Sequence, residues 1–133
     1  WVHPPVAVYE RVAPDVERGE CHFVLMAFPH PDDPTALDRT PNAEDLYYHD
    51  RLPRSERAGV EELRALVASG KPVIVVLPVR LQWRPVLPAD LVPVVRVEQS
   101  HWPHYRYPVL VFNRLPGNLT LDELAFLARG AQR

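Results

Sequence analysis

An imidazole and two carboxylates fall within four residues in Phe28-Pro29-His30-Pro31-Asp32-Asp33. Such a set can give a zinc ion one nitrogen and one oxygen ligand and leave a second carboxylate as general base for metal-bound water. His101-Trp102-Pro103-His104 offers a further imidazole from either end. The first cluster follows an apolar, strand-like run, and α/β sheets bind ligands outside the carboxyl ends of their strands. Proline-rich loops also use aspartates simply to turn the backbone, so a structural role for Asp32 and Asp33 stands beside the metal reading.

A second set of residues suits a different chemistry. From 71 to 115 there are six bases (Lys71, Arg80, Arg84, Arg96, Arg106, Arg114) against Asp90 and Glu98, with Trp83, Trp102, Tyr105 and Tyr107 interleaved, whereas 31–68 holds nine acids and five bases. A basic, aromatic half suits phosphates or an anionic surface. Arg80, Trp83, Arg84, Trp102, Tyr105 and Arg106 are the surface or acceptor contact candidates. The bland alternative is a solvated face with amphipathic aromatics at strand edges. Cys21 is the one cysteine, so it forms no intramolecular disulfide, and its place beside an apolar run predicts a buried thiol. The neighbouring His22 would lie on the opposite face of a strand. Neither a P-loop nor a dinucleotide-binding Gly-x-Gly-x-x-Gly pattern occurs.

These residues need a scaffold, and composition bounds it. The chain has 133 residues, 47% hydrophobic and 24% charged with 16 prolines, which predicts one modest domain and excludes collagen, coiled coil and wholesale disorder. A formal net charge of −2 argues against a bulk nucleic-acid binder. The longest apolar stretch, 73–79, falls far short of the roughly 20 residues that span a bilayer as a helix. The chain begins at Trp1 and its one methionine, Met26, lies inside a core element, so the sequence reads as a fragment of a longer protein. Fourteen arginines against one lysine are associated with a high-GC, bacterial genome.

Along the chain, Val6, Tyr9, Val12 and Ala13 at helical spacing predict a helix over 5–13 that Pro14 stops. Residues 22–28 read as a central strand covered on both faces, 29–44 as an extended proline-rich loop and 45–49 as a short strand. A helix over 55–70 follows, with Val60, Leu63, Leu66 and Val67 as its apolar stripe. It leads by a strand-helix-strand crossover to a second, parallel strand at 73–77. Residues 92–99 and 105–113 suit an antiparallel hairpin at a sheet edge. Thr120-Leu-Asp-Glu123 is a capping-box pattern opening a helix over 121–128, within a helical tail at 116–133. Asn118-Leu-Thr120 fits a glycosylation sequon but is better explained by that cap. The expected fold is a single α/β three-layer domain with a mixed, partly parallel sheet.

Two resemblances add to this. His30-Pro31-Asp32-Asp33 resembles the signature of the PIG-L-type zinc de-N-acetylases, which implies zinc held by His30, Asp33 and one of His101 or His104, with Asp32 as base. Pro34, Pro103 and the lack of a glycine-rich helix start depart from that pattern. A longer resemblance covers residues 20–113. It is carried by Leu46-Tyr-Tyr-His-Asp-Arg51, by Val60-Glu-Glu-Leu-Arg-Ala-Leu-Val-Ala-Ser-Gly-Lys-Pro-Val-Ile-Val-Val76, by Leu87-Pro-Ala-Asp-Leu91 and by Tyr107-Pro-Val-Leu-Val-Phe-Asn113. These segments are similar to the soluble C-terminal domain of polytopic GT-C glycosyltransferases, relatives of the protein O-mannosyltransferases and lipid A aminoarabinose transferases. The resemblance implies a polyprenyl-phosphate sugar donor and catalytic acids in membrane loops outside this chain. It also implies a cofactor-free accessory domain on the extracytoplasmic face, with the membrane surface, the transmembrane portion of its own chain and a polyprenyl-phosphate or glycan acceptor as partners. The metal-dependent amide hydrolase is the alternative function, and a plain interaction module the third.

Overall fold

The computed structural model describes residues 4–26, 29–30, 33–37, 50–77, 92–93 and 109–128. In chain order these form α1 (Pro4–Glu17), β1 (His22–Met26), β2 (Pro29–His30), β3 (Asp33–Leu37), β4 (Glu56–Ala58), α2 (Val60–Ala68), β5 (Val73–Leu77), β6 (Val92–Pro93), β7 (Val109–Phe112) and α3 (Leu121–Ala128). The main sheet has the order β4-β1-β5-β7-β6, with β4, β1 and β5 mutually parallel and β7 antiparallel to both of its neighbours. The expected mixed α/β sheet is therefore present, including the parallel pair β1 and β5 and the antiparallel pairing of the two C-terminal strands.

Alternation along the central strands gives the sheet two apolar faces. Phe23, Ile74, Val76, Leu110 and Phe112 join Val8, Tyr9 and Val12 of α1 and Leu124 of α3 in one core. Val24, Met26, Val73, Val75 and Val111 join Ala58 and Leu63 in the other, where Val60, Leu66 and Val67 of α2 pack. Two helices on one face and one on the other make three layers. This accounts for the unbroken β-branched run 73–76: every residue of it faces an apolar layer.

Three local expectations change. Pro14 does not stop α1, which continues to Glu17. The last turn is closed by a Schellman motif, with Glu20 N–H donating to Asp15 C=O at 2.9 Å, Gly19 N–H donating to Val16 C=O at 3.0 Å, and Gly19 at φ 72°. Arg18 adds an ion pair at 2.6 Å to Asp15, which is 9% exposed. These bonds and the packing of Val16 offset the loss of the bond that Pro14 cannot donate. The helix expected from residue 55 begins only at Val60, and Glu56–Ala58 is an edge strand parallel to β1. Gly59 breaks the helix there, because its extended backbone (φ −85°, ψ −176°) ends the strand and caps the helix. The crossover to β5 thus starts from β4, and the strand expected at 45–49 lies outside the described residues. Finally, the stretch read as a loop at 29–44 carries the antiparallel pair β2 and β3.

Thr120 caps α3 as its sequence implies, its Oγ1 accepting the Glu123 N–H at 3.1 Å. The other half of the capping box is diverted, since the Glu123 carboxylate accepts from Arg11 Nε of α1 at 2.5 Å. Arg11 also donates to Asn118 Oδ1 at 3.2 Å, so one guanidinium ties α1 to the start of α3.

Candidate functional site

The two ends of the sheet differ in how the chain turns there. At the amino ends of β1 and β5 three connections are short, while the longer stretches 38–55 and 78–91 return to this end to enter β4 and β6. Residues 18–21 join α1 to β1, 69–72 join α2 to β5, and 113–120 join β7 to α3. Hydrogen bonds lace these turns together. His22 N–H donates to Pro72 C=O at 2.9 Å, Lys71 Nζ to Gly19 C=O at 2.9 Å, and Asn113 Oδ1 accepts the Val73 N–H at 2.7 Å while its Nδ2 donates to Lys71 C=O at 3.0 Å. Gly70, at φ 82°, makes the turn out of α2. This is a closed pole.

At the opposite pole, the carboxyl ends of β1 and β5, all the long connections leave the sheet. The chain departs from Met26 toward β4, from Leu77 toward β6, and both leaves and re-enters the sheet between Pro93 and Val109, because β6 runs parallel to β5 and β7 returns against it. β1 and β5 are neighbours whose outgoing connections diverge, one toward the β4 edge and the other toward the β6 edge. Divergence of this kind is a topological switch point, where open α/β sheets leave a crevice for ligands. The candidate site is therefore the pole at the carboxyl ends of β1 and β5.

The hairpin of β2 and β3 stands three residues beyond Met26 and puts His30 opposite Asp33 in its ladder, with a register shift between Pro29 and His30. The backbone thus pairs two of the residues that the sequence singled out. Asp32, Arg80, Trp83, Arg84, His101, Trp102, His104, Tyr105 and Arg106 lie outside the described residues. Among the described residues no group of three or more His, Cys, Asp or Glu side chains is placed to hold a metal, and no helix is long and apolar enough to cross a membrane.

Two groups near the closed pole take structural roles. Cys21 is 2% exposed within the α1 and α3 core, and burial, aided by the Asp15 carboxylate, pushes its thiol up to about 12. A thiol so held is protonated at neutral pH and is no nucleophile. His22 points to the other side of β1, with Nδ1 at 2.7 Å from Glu56 Oε2, which ties the start of β4 to β1. The opposed placement of Cys21 and His22 follows the strand alternation read from the sequence.

The switch point could not be read from the residues. It depends on strand order, which no local pattern encodes; the usable signal was the length contrast between the turns at 18–21 and 69–72 and the stretches after 26, 77 and 93. Compared with protein-family models, curated proteins and solved structures, the chain matches none.

Proposed function

We propose that this domain is a non-catalytic accessory part of a membrane glycosyltransferase that uses a polyprenyl-phosphate sugar, displayed on the extracytoplasmic face and helping to shape acceptor access. One observation carries the reading. α1 ends at the closed pole, joined to β1 by four residues, so its amino end points back toward the open pole. Whatever precedes Pro4 in the full protein therefore joins the domain at the pole from which the connections holding Arg80, Trp83, Arg84, Trp102, Tyr105 and Arg106 depart. α3 runs the same way out: Gly117 adjoins Asp15 while Glu123 pairs with Arg11, which makes α3 antiparallel to α1. A domain tethered at that pole holds the tight turns at 18–21 and 69–72 away from its tether.

The coding sequence upstream of Trp1 tests this. Several hydrophobic segments of roughly 20 residues, with an acidic pair in the loop after the first, are expected. A start codon immediately upstream, with no such segment, refutes the proposal.

The His30 and Asp33 register favours a second reading, zinc-dependent amide hydrolysis with Asp32 as base. The two residues are backbone partners in the β2 and β3 ladder. Stoichiometric zinc lost in His30→Ala and Asp33→Asn would support it. A purified chain that folds normally and takes up no zinc from buffer would remove it.

A further inference from the structure

We infer that the outward surface of the α1 and α3 layer docks a basic amphipathic helix, whose apolar side lies on Leu121 and Phe126 and whose cations meet Glu10, Glu17 and Asp122. All five residues belong to the two helices, so the surface is present whether or not the domain is part of a glycosyltransferase.

α3 is apolar at six of its eight positions, Leu121, Leu124, Ala125, Phe126, Leu127 and Ala128. A helix apolar all round is ordinarily covered on every side. The sheet and α1 cover only one: Leu124 is fully buried in the core and Leu127 packs against it, whereas Leu121 is 53% and Phe126 37% exposed. These two are the exposed large hydrophobic side chains among the described residues. Leu121 and Ala125, four apart, and Asp122 and Phe126, also four apart, form adjacent rows away from the core. Rows of this spacing are what an amphipathic helix meets when it lies along another helix.

Charge selects the partner. Glu10, Pro14 and Glu17, at spacings of four and three, form the exposed stripe of α1. Because α1 and α3 lie side by side on one face of the sheet, this stripe and the exposed rows of α3 belong to one surface. The two bases of 4–18 and 116–128 are already engaged, Arg11 by Glu123 and Asn118 and Arg18 by Asp15 and Glu20. Glu10, Glu17 and Asp122 have no ion-pair partner among the described residues. Exposed apolar side chains beside free carboxylates suit a partner that brings cations. A second copy docking by the same surface would set like charges against one another across a two-fold axis. An anionic leaflet would be repelled in the same way.

The experiment titrates the isotope-labelled 133-residue chain with two helical peptides of about 15 residues and one apolar pattern, one carrying lysine and the other glutamate at its polar positions. The lysine peptide should shift the amide signals of Glu10–Glu17 and Leu121–Leu127, leave those of α2 in place, and bind roughly 10-fold more tightly than the glutamate peptide at low salt. Leu121→Ala and Phe126→Ala should each weaken the lysine peptide by roughly 3-fold or more. Both side chains are exposed, so Tm should stay within about 3 °C. The double variant Glu10→Lys, Glu17→Lys tests charge without touching the apolar rows, and it should reverse the preference between the peptides. No response to the lysine peptide, equal binding of both peptides, signals that move only on another surface, or a preference unchanged by the double variant would each overturn the inference. Dimerisation of the chain that Phe126→Ala abolishes would do the same, since it would make a second copy the occupant.

Discussion

Asn113 is the residue on which the closed pole depends most, and Asn113→Ala measures that dependence. Its Oδ1 accepts N–H groups of Val73 and Arg114, both at 2.7 Å, and its Nδ2 donates to Lys71 C=O at 3.0 Å. The side chain therefore reinforces the end of the β5 and β7 ladder, where the Asn113 backbone N–H also donates to Val73 C=O at 3.3 Å. Val73 is 0% exposed, so no water replaces the lost acceptor, and an unsatisfied buried donor costs about 1–3 kcal/mol. The Arg114 amide and Lys71 carbonyl belong to residues with exposed surface and exchange their partner for water, at about 0.5 kcal/mol each. The total is about 2–4 kcal/mol, a large share of the roughly 5–15 kcal/mol that holds a domain together. In urea the midpoint should fall without a change in slope, and Tm should drop by roughly 6–15 °C. Asn113→Asp keeps both accepted bonds but sets a carboxylate oxygen against the Lys71 carbonyl, so it should lose less. Hydrogen exchange gives the local readout, since the Val73 amide should lose protection in Asn113→Ala before its β5 neighbours do. A loss below about 0.5 kcal/mol, or a Val73 amide as protected as before, would refute the role assigned to this side chain.

The other expectations concern the helices and the thiol. Leu124→Ala, at a position without exposed surface in the core under α1, should cost about 2–5 kcal/mol by denaturant unfolding. Thr120→Ala removes the cap on α3 and should cost about 1 kcal/mol, with Thr120→Ser close to neutral by the same assay. Cys21 should resist a thiol reagent at pH 8 in the native state and react at once in denaturant. Burial and the nearby Asp15 carboxylate push its thiol up to about 12, above the ordinary thiol range, so the native state holds the proton more tightly. The associated stability is intact below pH 9 and declines as pH rises from there toward 12, a decline that Cys21→Ala should lessen in alkaline unfolding curves.

Elements whose identity depends on apolar pattern were legible: both central strands, the parallel relation between them, α2 from Val60 onward and the capped α3. Boundaries set by long-range contacts were not. Proline at 14 reads as a stop by local rules, and only the Asp15 and Arg18 pair, with the Gly19 turn, explains why the helix outlasts it. Glu56–Ala58 has no strand signature of its own; it pairs because β1 offers an edge and because His22 holds Glu56. Residue types for a site were visible at His30 and Asp33, and their opposition in a ladder was not, since a proline-rich stretch gives no register.

The tight turns and the long connections also differ in composition. None of the five glycines falls in the connections 27–49, 78–91 and 94–108, whereas nine of the 16 prolines do. Glycine widens the backbone choices of a loop, and proline fixes φ and lowers the entropy of the unfolded chain, so these stretches have the composition of a preset surface rather than of a flexible linker. Proline also removes N–H donors, which blunts pairing with a foreign strand, a useful property for segments departing from the ends of an open sheet. The closed pole instead spends its glycines, Gly19, Gly70 and Gly117, all at positive φ, on tight turns that anchor both helical layers.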